Sequence, residues 1–286
     1  MGAGGAAQWI RDTAAAYGSV GPGETVPCTE GVPDCYEVEL EVPTERPAGH
    51  WDLRFEEVLS NGVRKVWTAH VGLSFGDVPA DHWAYRFIET MLHRGITAGC
   101  GSGNYCPAAD VSRLAMAVFL SASMVGGDQV PYSGDVAGMG HYECDTEGVS
   151  LFGDIEPESG ACRFVHFLAL EGITSGCGGG NYCPWDPVTR WQMAVFLATA
   201  MAGGGDNVPV SGTVPGMGDY NCVAEGGSSV FGDVPPGDGG CRYIHYIAAE
   251  GVTSGCGGGN YCPAELVSRA QMAVFLSAAF ELTPGE

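Results

Sequence analysis

The chain has almost no lysine: Lys65 stands alone among 12 basic residues, set against 34 acidic ones for a net charge of −22. That deficit makes nucleic acid a poor partner, because binding to it is dominated by phosphate neutralisation, and an anionic membrane surface is disfavoured for the same reason. Long apolar runs are missing too. No stretch approaches the ~20 residues needed to cross a bilayer, and Met1-Gly-Ala-Gly-Gly lacks the basic start and apolar run of a signal peptide. Catalytic signatures are also absent: there is no Gly-x-Ser-x-Gly and no His-Glu-x-x-His, and the seven histidines are scattered. Calcium is compatible with the acidity but has no D-x-[DN]-x-[DN]-G loop to hold it. Gly178-Gly-Gly180 and Gly257-Gly-Gly259 are followed by no Gly-Lys-Ser/Thr, so they are not phosphate loops. The expectation is a chain that is not an enzyme and calls for no cofactor or metal.

Cysteine is plentiful instead. Cys100/Cys106, Cys177/Cys183 and Cys256/Cys262 recur six residues apart, Cys144/Cys162 and Cys222/Cys241 recur at wider spacing, and Cys28/Cys35 complete the 12. Neighbour pairing predicts six local disulfides and an oxidising compartment. Zinc is the weaker reading, because the spacing is not C-x2-C and no histidine accompanies every pair. Each short closed loop is worth roughly 2–3 kcal/mol on the chain-entropy account. With disulfides expected, the lack of a signal peptide reads as a processed piece of an exported protein.

Three near-copies of one motif occupy residues 75–286, with repeats at 75–124, 152–201 and 231–280. Phe75-Gly-Asp77, Phe152-Gly-Asp154 and Phe231-Gly-Asp233 open them; Ser112-Arg113, Thr189-Arg190 and Ser268-Arg269 precede a Met-Ala-Val-Phe-Leu run in each. Each copy reads as helix, Cys-clipped loop, helix. Trp83 to Arg94 carries apolar residues at helical spacing and ends at Gly95, and the second helix begins at a Ser or Thr N-cap, with Gln192 and Gln271 positioned for capping boxes. A repeat this regular favours stacked units presenting one surface several times. The segments Val125–Leu151 and Met201–Val230 show no periodicity and read as long surface loops pinned by their cysteines. Residues 1–74 differ: Ala6–Tyr17 reads as a short helix and Tyr36–Val42 as a strand. Trp51–Leu59 and Val63–Leu73 read as a hairpin about Asn61-Gly62, so that three or four strands form a small antiparallel sheet, the end of a β-sandwich.

The repeated elements resemble the S-layer homology family, with its Phe-x-Asp-Val-Pro, aromatic helix, Gly-Ile-Thr-x-Gly, aromatic-x-Pro loop and Thr-Arg-Ala-Glu. The resemblance implies a mainly α fold with a small β part, a pseudo-threefold trimer of repeats with one helix of each around an axis and grooves between neighbours. It implies non-covalent anchoring of an exported protein to an acidic cell-wall polysaccharide, often one bearing a pyruvate ketal. The last element departs from the pattern: it reads Ser112-Arg113-Leu114-Ala115, Thr189-Arg190-Trp191-Gln192 and Ser268-Arg269-Ala270-Gln271, without glutamate. The cysteine clips resemble a variant found at the C-terminus of large secreted bacterial proteins, behind β-sandwich domains.

Arginine carries the sharpest chemistry. Arg113, Arg190 and Arg269 start the second helices and Arg86, Arg163 and Arg242 lie on the first, six of the 12 basic residues at two repeated sites. Arginine binds carboxylates bidentately, and a helix N-terminus adds N–H groups and a favourable dipole. These six could hold an acidic sugar; equally, each could pair with Asp77, Asp154 or Asp233 and tie its repeat together. Those aspartates are expected to cap the turn into the first helix. Trp83, Trp185 and Trp191 are candidates to stack on a sugar or simply to pack, and Tyr105, Tyr182 and Tyr261 are expected in the core. The sequence thus predicts a secreted surface module whose partner is an anionic envelope polysaccharide. Its rivals are self-assembly with copies of itself into a layer or filament, and service as an accessory domain of an extracellular hydrolase.

Overall fold

The computed structural model describes residues 8–12, 37–40, 51–71 and 74–282. The chain divides into two compact units, Met1–Ser74 and Phe75–Glu286.

In the first unit, β1 (Gln8–Asp12) pairs antiparallel with β2 (Glu37–Leu40), and β3 (Trp51–Val58) with β4 (Arg64–Val71). The hairpin expected about Asn61-Gly62 is present; Gly62 takes φ 83° and the Asn61 Oδ1 accepts the Val63 N–H at 3.0 Å. Two expectations are corrected. Gln8–Asp12 is a strand, not part of a helix, and the strands form two separate two-stranded sheets instead of one. In the Trp9-Ile10 stretch strand pairing with Val38 and Glu39 outweighs the helix propensity of its alanine-rich flanks. The Cys28–Cys35 pair lies outside the described residues.

The second unit is mainly helical. Each repeat contributes an outer helix, α1 (Tyr85–His93), α3 (Cys162–Leu170) and α5 (Cys241–Ala249), and an inner one, α2 (Arg113–Val125), α4 (Arg190–Ala202) and α6 (Arg269–Ala279). The outer helices stop at Gly95, Gly172 and Gly251, all left-handed, and the next N–H (Ile96, Ile173, Val252) returns 2.8 Å to a carbonyl of the last turn. The inner helices begin where Ser112, Thr189 and Ser268 cap the third backbone N–H; Gln192 and Gln271 complete capping boxes, which Ala115 cannot. Their apolar runs (Met116–Leu120, Met193–Leu197 and Met272–Leu276) supply much of the shared core.

Closure about the axis is covalently simple and geometrically complete. The N–H of Val111 donates to the carbonyl of Val267 (2.8 Å), Val188 to Val111 (2.8 Å) and Val267 to Val188 (3.0 Å). All three valines are fully buried. The three repeats therefore form a ring of pseudo-threefold symmetry.

The two inter-repeat segments correct a further expectation. Each folds into a 3-10 turn and a hairpin, β5 (Ser133–Val136) with β6 (Gly140–Glu143), and β7 (Ser211–Val214) with β8 (Gly218–Asn221). Strands of four residues hold too few apolar positions for period-two patterning to register. Disulfides Cys144–Cys162 and Cys222–Cys241 tie the hairpins to α3 and α5, while Cys100–Cys106, Cys177–Cys183 and Cys256–Cys262 close the loops.

The repeated aspartates do not cap the outer helices, whose N-cap residues Ala84, Ala161 and Gly240 make no side-chain cap. Each carboxylate reaches across the repeat to the clipped loop instead. Asp233 accepts the N–H groups of Tyr261 and Cys262, both at 2.7 Å; Asp77 and Asp154 do the same for Tyr105/Cys106 and Tyr182/Cys183. The three clip cysteines that donate hold φ near 60°, a conformation these paired bonds support. Asp233→Ala is expected to lower unfolding stability by about 2–3 kcal/mol, and Asp233→Asn by less, in denaturant titrations.

Candidate functional site: three seams between repeats

The first residues of each inner helix meet the clipped loop of the next repeat around the ring. Arg113 and Leu114 donate their backbone N–H groups to the carbonyls of Asp186 and Pro184; Arg190 and Trp191 to Glu265 and Pro263; Arg269 and Ala270 to Ala109 and Pro107, all at 2.8–2.9 Å. The free N–H groups that every helix start leaves over are thereby consumed by protein. The expectation that these helix starts offer N–H groups to an anion is corrected on that ground.

The arginine side chains complete the same joint. The Nε of Arg113, Arg190 and Arg269 donates 2.8 Å to the carbonyl of Tyr182, Tyr261 and Tyr105, and those phenols donate back to the arginine carbonyls at 2.8–2.9 Å. Each guanidinium lies 4.7 Å over its tyrosine ring, with a phenylalanine of the same neighbouring repeat (Phe196, Phe275 or Phe119) at 5.0–5.5 Å. Burial pushes the three phenols far above their usual range despite the nearby arginine, and it lowers Arg269. The guanidiniums are buried, form no ion pair among the described residues, and keep one nitrogen, Nη2, without a hydrogen-bond partner. The pairing of these arginines with Asp77, Asp154 or Asp233 weighed from the sequence forms no ion pair among the described residues: the carboxylates hydrogen-bond the loops, and Asp77 acts on Arg269 through its charge alone.

The other arginines sit differently. Arg86 is exposed over the Phe87 ring, Arg163 lies between the Tyr132 and Phe164 rings at 4.6 and 4.7 Å, and Arg242 donates to the Tyr243 hydroxyl at 2.9 Å. Trp83 and Trp185 are strongly exposed, at 61% and 78%. Trp191 is half-buried and its indole N–H donates to Asp238 at 2.9 Å. Tyr105, Tyr182 and Tyr261 are fully buried, as their place beside the clip predicted.

His166 and His245 are the site residues that sequence reasoning passed over. Both are fully buried, stack on Tyr142 and Tyr220 of the hairpins (4.7 Å), and have Phe152 and Phe231 at 5.5 Å. Nδ1 reaches the carbonyl of Cys162 or Cys241 at 2.7–2.8 Å, and Nε2 accepts the N–H of Leu151 or Val230 at 2.9–3.1 Å. This pattern requires a neutral ring protonated at Nδ1. Their recurrence four residues after a repeated cysteine was the signal available. The sulfurs of Cys144/Cys162 and Cys222/Cys241 lie with these histidines in clusters of metal-ligand type. With the sulfurs joined and both ring nitrogens engaged, however, the donors are spent.

Burial lowers both histidine pKa values, and no carboxylate acts on either ring. The unfolded chain therefore binds more protons in acid. The stability from these neutral rings is fully present above the unfolded value of about 6.5 and is lost as pH falls below it. The loss approaches about 1.4 kcal/mol per histidine per pH unit until the folded value is reached. Melting temperature should drop between pH 7 and pH 5, and a His166→Gln/His245→Gln variant, though less stable at neutral pH, should show a shallower slope.

A cavity of about 380 Å³ opens between the β5–β6 tip, the end of α3, α4 and Tyr243. Its lining carries no charged group, so it holds no acid–base pair. Among the described residues no helix is long and apolar enough to cross a membrane.

A ring of three helix–clip–helix repeats joined by three equivalent clasps defines a repeat module whose distinctive surfaces are its seams. The S-layer homology domain model matches residues 74–117, 151–194 and 230–273, so the chain carries three S-layer homology domains. It is 23% identical over 212 residues to an S-layer protein of Bacillus licheniformis (73% of this chain, 20% of that one). It is 24% identical over 132 residues to S-layer protein EA1 of Bacillus anthracis, 46% of this chain and 13% of that one. A stretch of 128 residues, 44% of this chain, is 30% identical to an uncharacterized cell wall amidase of Bacillus anthracis, of which it covers 20%. The chain thus spans a fifth or less of these relatives.

Proposed function

We propose that this module holds an exported protein at the bacterial cell surface by binding an anionic cell-wall polysaccharide in the seams between its repeats. One observation supports the reading: each seam contains a buried guanidinium that forms no ion pair among the described residues and leaves its Nη2 without a hydrogen-bond partner, in a chain of net charge −22. A cation fixed in a low-dielectric joint biases the local potential towards anions even where the surrounding surface is acidic. The exposed Trp83 and Trp185 rings and the outer arginines Arg86, Arg163 and Arg242 supply sugar-stacking faces and accessible positive charge. The module is non-catalytic; in this reading the amidase relative shares the anchoring part, not the chemistry.

A second reading, assembly into a surface layer, draws on the S-layer proteins among the relatives and on β3–β4, an eight-residue pair whose outer edges have no strand partner among the described residues.

Cosedimentation of the chain with sacculi from its own source, intact or stripped of secondary polymer, tests the first reading. Saturable binding to intact sacculi alone, weakened by salt and reduced at least tenfold in an Arg86→Gln/Arg163→Gln/Arg242→Gln variant, is expected. Equal retention by stripped sacculi, or none by either, overturns it, and concentration-dependent oligomers in sedimentation velocity would favour assembly.

A further inference from the structure

The three clasps are alike, but the walls beside them are not. The residue after each clasp arginine is Leu114, Trp191 or Ala270. The turn aligned against it, at the head of the next repeat's outer helix, is Ser159-Gly160-Ala161, Asp238-Gly239-Gly240 or His82-Trp83-Ala84 in the same order.

Between repeats 2 and 3 these two walls touch. The Trp191 backbone is held by Pro263 of the clipped loop, and its indole N–H by Asp238 of the head turn. Gly240 lies so close that a Cβ there would overlap the indole ring, and a Cβ on Gly239 would sit 3.9 Å from its Cζ2. Asp238 also accepts the Gly240 N–H at 2.7 Å, which shapes the turn to receive the ring. Between repeats 1 and 2 a Cβ on Gly160, the counterpart of Gly239, would meet nothing within 4 Å, and no aromatic ring stands at Leu114. Between repeats 3 and 1 the aromatic has changed sides. Trp83 stands where Gly239 does, opposite the small Ala270, and remains 61% exposed with His82 stacked at 5.7 Å.

We propose that Trp191 is a built-in occupant that closes the seam between repeats 2 and 3, leaving two seams for ligand, and that Trp83 is the sugar-stacking wall of the seam between repeats 3 and 1. The proposal deepens the polysaccharide reading and rests on it for the ligand class, whereas the closure itself rests on geometry alone. A half-buried, hydrogen-bonded indole packed against the Gly240 turn occupies the position a sugar face would take, and displacing it would cost Asp238 one of its two donors, leaving the Gly240 N–H. A pyranose ring stacks on an exposed tryptophan through the same dispersion and C–H contacts that Trp191 makes internally.

Two measurements test it. In the ¹⁵N-labelled chain, indole N–H exchange should be at least tenfold slower for Trp191, assigned with Trp191→Phe, than for Trp83 and Trp185, and Asp238→Ala should abolish that protection. An unprotected Trp191 indole would overturn the closure. Calorimetry with polysaccharide fragments released from the same sacculi should give two sites per chain, three in Trp191→Ala and one in Trp83→Ala. Three sites in the unaltered chain, or a number indifferent to both substitutions, would overturn the assignment of seams. Binding by no form of the chain would overturn the polysaccharide reading and the role given to Trp83, while indole exchange would still decide whether the seam is closed.

Discussion

Three backbone hydrogen bonds, Val111 to Val267, Val188 to Val111 and Val267 to Val188, constrain everything else in the repeat unit. Each joins residues from different repeats, so no repeat can satisfy the backbone of its own buried valine. Buried peptide groups left unpaired are costly, and the ring removes that cost only when all three copies are in place. The valines also fix where the inner helices begin, since each lies one residue before the capping Ser112, Thr189 or Ser268. The helix starts are thereby brought to the neighbouring loops at one height, and the clasps follow.

Within this frame the clasp arginine acts as an adhesive of mixed character. Its Nε bond and the returning phenol bond give direction, while two aromatic rings lie against a charge that forms no ion pair among the described residues. A guanidinium suits this role better than an ammonium would, being planar and weakly hydrated. The near absence of lysine is consistent with the same demand, since half of the basic residues lie at two repeated arginine positions. A charge kept in the seam but not neutralised there links stability to recognition, and substitutions at Arg113, Arg190 or Arg269 would confound the two. The outer arginines, which sit on or near the surface, allow them to be separated.

Much of this was legible in the sequence because it is local and repeated. Helix ends announced themselves through Ser112, Thr189, Ser268 and the glycines at 95, 172 and 251; the clip cysteines did so through their spacing. What escaped was long-range. Asp77, Asp154 and Asp233 precede helices and look like caps, but their partners are N–H groups 28 and 29 residues away, a distance no capping pattern encodes. The helix starts read as open anion sites because nothing local says that another repeat's carbonyls fill them. The hairpins escaped through glycine: Gly134 and Gly212 leave room for the Tyr142 and Tyr220 rings, and an added Cβ would lie 3.0–3.1 Å from those rings.

The departures from threefold symmetry carry more functional information than the symmetry does. Glu89 in repeat 1 becomes His166 and His245 in the others, where a hairpin and a disulfide have been added. A carboxylate there could accept the Leu151 or Val230 N–H but would have nothing to donate to the Cys162 or Cys241 carbonyl, whereas a neutral imidazole both donates and accepts. The histidine is therefore the residue that the added hairpin requires. The seams follow the same logic, since identical clasps hold the ring while the residue beside each one is free to vary. Gly239 and Gly240 are small because Trp191 is large, and Ala270 is small where Trp83 is large. Paired changes of size across a seam are what packing demands when a side chain has been moved into it. That reciprocity identifies Trp191 as part of the folded wall and Trp83 as a surface left uncovered.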